Sequence, residues 1–311
     1  MCRRCVLVFA LLAAMAAYHS LNPVRAAGQT PRAADGQPDL QGLWTNSTTT
    51  PLERPPDMAD RAVLTAEEVA ALDAQAMGRN DRPPRAGDPG TYNEFWWERG
   101  TRLTQASLVV DPPDGRIPAL TADGQARAGW ARGSDSWTNR NLAERCVTRG
   151  APKRPGGYNN NFLILQTPGY VTILQEMIHE VRIIPLDDRP HIDDDIRLWM
   201  GDSRGRWDGE TLVVETTNFG TQIVFNSYNC CPGAGANLRL VERFTRVNAT
   251  TLDHRYTVED PSTYASPWTA SIPLVQFDGP IYEYACHEGN YGMENLLRGA
   301  RVQEQDVVRA K

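Results

Sequence analysis

Between Tyr170 and Ile184 apolar residues fall mostly on every second position. Val171, Ile173, Met177, Val181 and Ile183 share one face of an extended strand, and the same period places Gln175 and His179 on it. An apolar row therefore carries two polar side chains, which marks the stretch as the place to look for chemistry. The preceding run FLILQT alternates in the same way and ends in Pro168-Gly169, so the two runs are predicted to pair as a hairpin. Past the central stretch come five further runs rich in β-branched and aromatic residues: GETLVVETTNF, LRLVERFTRV, TLDHRYTVED, TASIPLV and IYEYACHE. No helix of crossover length separates them, which favours antiparallel pairing over parallel.

The amino-terminal half is patterned differently. PDLQGLWTN alternates Leu40, Gly42 and Trp44 and predicts a first strand, and SLVVDPPDGRIP predicts another at Ser107 to Val110. One helix start is clear: Thr65 and Glu68 form a capping box, Val69, Leu72 and Ala76 line one face, and Gly78 is the predicted stop. Between lie Pro-rich loops, an aromatic knot of Tyr92, Phe95, Trp96 and Trp97, and a weakly helical stretch over 121–145. The expected fold is thus mainly β, an antiparallel barrel or strongly bent sheet, with a loop-rich, short-helical first half packed around it. Barrels of about eight strands enclose room for one small ligand.

Composition adds compartment and partners. Residues 1–26 read as a signal peptide: Arg3 and Arg4, then an apolar run from Cys5 to Tyr18, then a cleavage site near Ala26. Residues 27–311 are expected to form a single domain, periplasmic or secreted. Cleavage removes three arginines and no acid, so 29 basic residues stand against 38 acidic ones and net charge moves from −6 to −9. An acidic chain without a basic run argues against nucleic acid and membrane surfaces as partners. A small molecule is the expected partner, and oligomeric state is not legible.

Four cysteines remain after cleavage, which allow three pairings. Cys146 with Cys286 is favoured, since a bridge between the adjacent Cys230 and Cys231 closes a strained ring. Cys230 and Cys231 then stand as free thiols, a vicinal bridge or a local peculiarity.

Among candidate site residues, His179 is as readily a hydrogen-bonded core histidine as a catalytic one, and His254 reads as structural. His287 and Glu288, beside Cys286 and before the turn Gly289-Asn290-Tyr291-Gly292, read as an acid–base pair held at a rim. His179, His287 and Glu288 are the catalytic candidates. Gln175, Arg182, His191, Arg197, Asp202 and Arg204 are candidates for binding a polar or anionic group, with Trp97, Trp199 and Trp207 as stacking surfaces. Asp193 to Asp195 lack the spacing and glycine of an EF-hand loop, and neither HExxH nor CxxC occurs, so no metal site and no cofactor are expected. Ser203 in Gly201-Asp202-Ser203-Arg204-Gly205 lacks the strand-to-helix setting of a nucleophile elbow. The expected function is acid–base catalysis of lyase, isomerase or hydrolase type on a small organic molecule. The alternative is a non-catalytic carrier that uses the same cavity.

Taken together, PDLQGLW, SLVVDPPDGRIP, YNNNF with QTPGYV, EMIHEVRIIPLDDRPH, WMGDSRGRW with GETLVVETTNF, LRLVERF and YEYACHEGNYG resemble a widespread group of secreted bacterial proteins. The resemblance covers most of the mature chain and implies export and a shared architecture rather than a reaction, because the group has no settled activity. It also implies that Cys146 and Cys286 are typical of the group, whereas Cys230-Cys231 departs from it. The late strands resemble lipocalin-type barrels more distantly, a likeness that carries no residues over.

Overall fold

The structure is a computed structural model, and it describes residues 30–80, 97–98, 100–129, 133–220, 231 and 234–309. The predicted signal peptide, Tyr92, Phe95, Trp96 and Cys230 lie outside the described residues.

Eleven strands make one sheet: β1 (Gly42–Thr45), β2 (Val109–Asp111), β3 (Asn161–Thr167), β4 (Tyr170–Gln175), β5 (Glu180–Pro185), β6 (Asp202–Asp208), β7 (Thr211–Thr217), β8 (Arg239–Asn248), β9 (Thr251–Glu259), β10 (Trp268–Ser271) and β11 (Leu274–Gln276). All named pairings are antiparallel, and the path runs β5-β4-β3-β1-β11-β9-β8-β7-β6, with β10 joining β9 to β2. The two ends of the path, β5 and β6, meet through side chains rather than a ladder, so the sheet is nearly closed into a barrel. Gly205 on β6 makes that seam tight: a Cβ there would fall 2.6 Å from Leu186 Cδ2 and 2.9 Å from Ile184 Cγ2.

Three helices are described, α1 (Ala66–Asn80), α2 (Ala122–Gly129) and α3 (Tyr291–Arg309). The predicted capping box forms, with Glu68 N–H donating to Thr65 Oγ1 (3.2 Å) and Thr65 N–H to Glu68 Oε2 (2.9 Å). The helix runs past Gly78 to Asn80.

Inward residues form layers. One apolar cluster joins Trp44, Phe162, Ile164, Val171, Ile173, Ile184, Leu212, Val214, Phe244, Leu252 and Leu274. A second joins Leu240, Tyr256, Val258 and Trp268 to loop residues such as Leu108 and Phe219. Between them the inward positions are polar: Gln175 on β4, Arg182 on β5, Glu242 on β8 and His254 on β9 are all buried.

Two expectations are corrected. The run from Tyr170 to Ile184 is not one strand but a hairpin, because Glu176 to His179 form a turn and Gln175 pairs with Glu180. A four-residue turn places an even-numbered residue opposite an odd one, so inward parity flips between the strands. Arg182 and Ile184 consequently point in, whereas Val181 and Ile183 are 53% and 64% exposed. The second correction concerns IYEYACHE, which forms no strand. It crosses the end of the barrel as a strap, held where Glu176 Oε1 accepts from Tyr282 N–H (3.0 Å) and Cys286 is bridged to Cys146.

Candidate functional site

The polar layer is built by strand alternation. On β8 the inward residues are Leu240, Glu242 and Phe244, and on β9 they are Leu252, His254, Tyr256 and Val258, so one acid and one histidine interrupt apolar rows. Arg182 reaches across the barrel and grips Glu242 with both terminal nitrogens, Nη1 to Oε2 at 2.5 Å and Nη2 to Oε1 at 3.1 Å. His254 Nε2 lies 3.1 Å from the same Oε1, and its ring stacks on Phe244 with centroids 4.3 Å apart. Burial alone would favour a neutral Glu242, but Arg182 and His254 outweigh it and hold the carboxyl at about 2. Arg182, Glu242 and His254 thus form one hydrogen-bonded triad around an ionised carboxylate.

Two more ionisable groups border it without such compensation. Glu180, opposite Gln175, is pushed above the ordinary carboxylate range by burial, although bonds from Thr148, Arg149 N–H and Gln175 and the nearby charge of Arg182 oppose the shift. Lys153, in the segment leading into β3, donates from Nζ to Asn160 Oδ1 at 2.7 Å and to Arg154 O at 3.5 Å. Burial lowers its amine to about 7, against the pull of Glu98 and Glu176. Lys153, Gln175, Glu180, Arg182, Glu242 and His254 line one cavity whose remaining wall is largely apolar, including Phe162, Ile164 and Leu274. Its volume of about 20 Å³ accommodates roughly one water.

The sequence-predicted site residues divide among separate places. Gln175 and Arg182 meet in this cavity. His179, expected to point inward, is exposed at the hairpin turn with φ of 44°, and its Nδ1 sits 3.1 Å from Tyr284 O on the strap. His287 and Glu288 are exposed on the strap, and nothing brings them to the cavity.

His191, Asp202 and Arg204 do converge, but on the outer face of the sheet. His191 Nδ1 is 2.8 Å from Asp202 Oδ2, Arg204 Nη1 is 2.8 Å from Asp202 Oδ1, and His191 Nε2 lies 3.4 Å from Glu215. Arg204 also donates to Pro190 O, so this cluster fastens the loop before β6 to β6 and β7. Arg197 donates to Ala236 O instead.

The tryptophans stay apart. Trp97 covers Gly157, where a Cβ would fall 2.7 Å from its ring, Trp199 lies beside Gly220, and Trp207 packs on the barrel core. Among the described residues no group of three His, Cys, Asp or Glu is placed to hold a metal ion.

Sequence reasoning missed Lys153, Glu180 and Glu242. For Glu242 the alternation Leu240-Glu242-Phe244 is a local signal, and for Glu180 no such signal exists. For Lys153 one does: the chain has 30 arginines but only two lysines, Lys153 and Lys311. No protein-family model, curated protein or solved structure matches the chain.

Proposed function

We propose that the protein is an acid–base enzyme for a small polar organic molecule, and that its active site is the cavity at the level of the polar layer. The observation that carries this reading is the pair of groups lining one cavity, the buried Lys153 and the half-buried Glu180, each pushed toward its neutral form. A neutral amine accepts a proton and a neutral carboxyl donates one, and groups poised near neutrality exchange protons most effectively. The triad of Arg182, Glu242 and His254 serves as a fixed electrostatic wall that needs no reorganisation during reaction. The outcome is lyase or isomerase chemistry, in which protons move within one bound molecule.

Because the cavity holds about one water, substrate enters when the 151–153 segment that lines it yields. The Cys146–Cys286 bridge supports export to an oxidising compartment, and no described helix is long and apolar enough to cross a membrane.

Thermal-shift screening of small hydroxy, oxo and amino compounds, followed by nuclear magnetic resonance of each stabilising compound after long incubation, tests the reading. Conversion that is lost in both Lys153→Met and Glu180→Gln supports it. A ligand recovered unchanged, with affinity intact in both variants, refutes the site and the chemistry together.

A further inference from the structure

Every cation in the described chain except one is arginine, including Arg182 within the barrel. The exception is Lys153, and the only other lysine, Lys311, is the last residue. Arginine stays protonated in proteins and makes a poor nucleophile, whereas a primary amine can lose its proton and form covalent bonds. A lone interior lysine in so arginine-rich a chain marks a position where guanidinium does not serve.

The surroundings favour the free amine. Lys153 is 5% exposed, and both acceptors of its Nζ, Asn160 Oδ1 and Arg154 O, are neutral. Two donated bonds leave the amine a third direction. The cavity it lines has an apolar side made by Phe162, Ile164, Phe244 and Leu274, and room for a group about the size of a water or a carbonyl.

We infer that Lys153 forms an imine with a small aldehyde or ketone bound in the barrel cavity, an inference that rests on reading this cavity as the active site. The nitrogen lone pair attacks the carbonyl carbon, the carbonyl π pair moves to oxygen, and the oxygen takes up a proton to give a carbinolamine. Loss of the nitrogen proton and protonation of the hydroxyl then expel one water as the C=N bond forms, with no change of oxidation state. Glu180, which lines the same cavity, supplies and recovers the proton. The resulting iminium draws electrons from the adjacent carbon, which permits proton loss or carbon–carbon cleavage there.

The test uses the mature chain, glycolaldehyde and cyanoborohydride, which delivers hydride to the imine carbon and leaves a stable secondary amine. Peptide mass mapping follows the two lysines separately. At pH 7 the adduct on Lys153 is expected to outpace that on Lys311 by roughly tenfold or more, since an ordinary lysine is almost wholly protonated there. The Lys153 rate should rise through a pH of about 7, a midpoint set by burial and Arg149 against Glu98 and Glu176, while Lys311 continues to rise to much higher pH. Lys153→Arg, with an unchanged circular dichroism spectrum, should lose the fast adduct entirely.

Labelling of Lys311 with none on Lys153, or equal rates with one pH profile, overturns the inference. In that case, a carbonyl-free ligand whose stabilising effect disappears in Lys153→Met and Glu180→Gln would leave the interior site standing. If no ligand depends on either residue, the site falls as well.

Discussion

Replacing Arg182 by methionine removes the guanidinium that pairs with Glu242 while keeping much of the side-chain volume. In the native protein Arg182 and His254 hold the Glu242 carboxyl at about 2 rather than 4.5, a displacement worth about 3 kcal/mol of stability. Because the folded value is the lower one, that stability is fully present above about pH 4.5 and is lost as pH falls toward 2. Truncating one partner of a buried ion pair generally costs about 3 to 5 kcal/mol, since the other charge is left without compensation. For a chain of this size the loss corresponds to a melting temperature lower by about 6 to 20 °C.

Urea unfolding followed by tryptophan fluorescence between pH 3 and 8 gives the free energies. The deficit of Arg182→Met should be largest near pH 7 and shrink toward pH 3, where Glu242 in the variant is neutral and the native protein has lost more than half of its advantage. The double variant Arg182→Met/Glu242→Leu should recover most of the deficit, because no unpaired charge remains. A deficit below about 1 kcal/mol at pH 7, or one independent of pH, would refute the account of the polar layer as a mutually compensated ionic unit.

The amine of Lys153 titrates lower in the folded chain than in the unfolded one, so its cost to stability is full below about pH 7 and vanishes toward pH 10.5. Lys153→Met should therefore be more stable than the native protein at pH 6 by roughly 2 to 4 kcal/mol, after loss of the Asn160 bond, with the gap closing as pH rises. Cys286→Ser opens a bridge that spans 140 residues and should cost up to about 5 kcal/mol by urea titration; a midpoint unchanged from the native one would mean that the strap is held by Glu176 and His179 without the bridge. Gly205→Val inserts carbon against Leu186 and Ile184 at the β5–β6 seam and should lower stability by about 1 to 3 kcal/mol, a loss that Ile184→Ala in the same chain should partly relieve. His179→Ala, at an exposed turn, should change stability by less than about 1 kcal/mol, and a larger change would show that its bond to Tyr284 O secures the strap.

Local pattern settled the class of fold and many of its pieces. Alternation in FLILQT, GETLVVETTNF, LRLVERFTRV and TLDHRYTVED marks β3, β7, β8 and β9, Pro168-Gly169 turns β3 into β4, and Thr65 with Glu68 starts α1. These features depend on neighbours within a few residues, where steric and capping preferences act. Which way a strand faces after a turn does not. The turn at Glu176 to His179 reversed the parity that the run from Val171 to Ile183 suggested, sending Arg182 inward and leaving His179 at the surface. IYEYACHE has the composition of a strand, yet it lies as a strap, since strand residues are stabilised by a partner ladder and this segment is tied instead by Cys146 and Glu176. The site itself is tertiary in origin. Glu242 meets Arg182 from 60 residues away and His254 by cross-strand placement, and only barrel closure removes the water that would otherwise keep Lys153 and Glu180 at their ordinary ionisation.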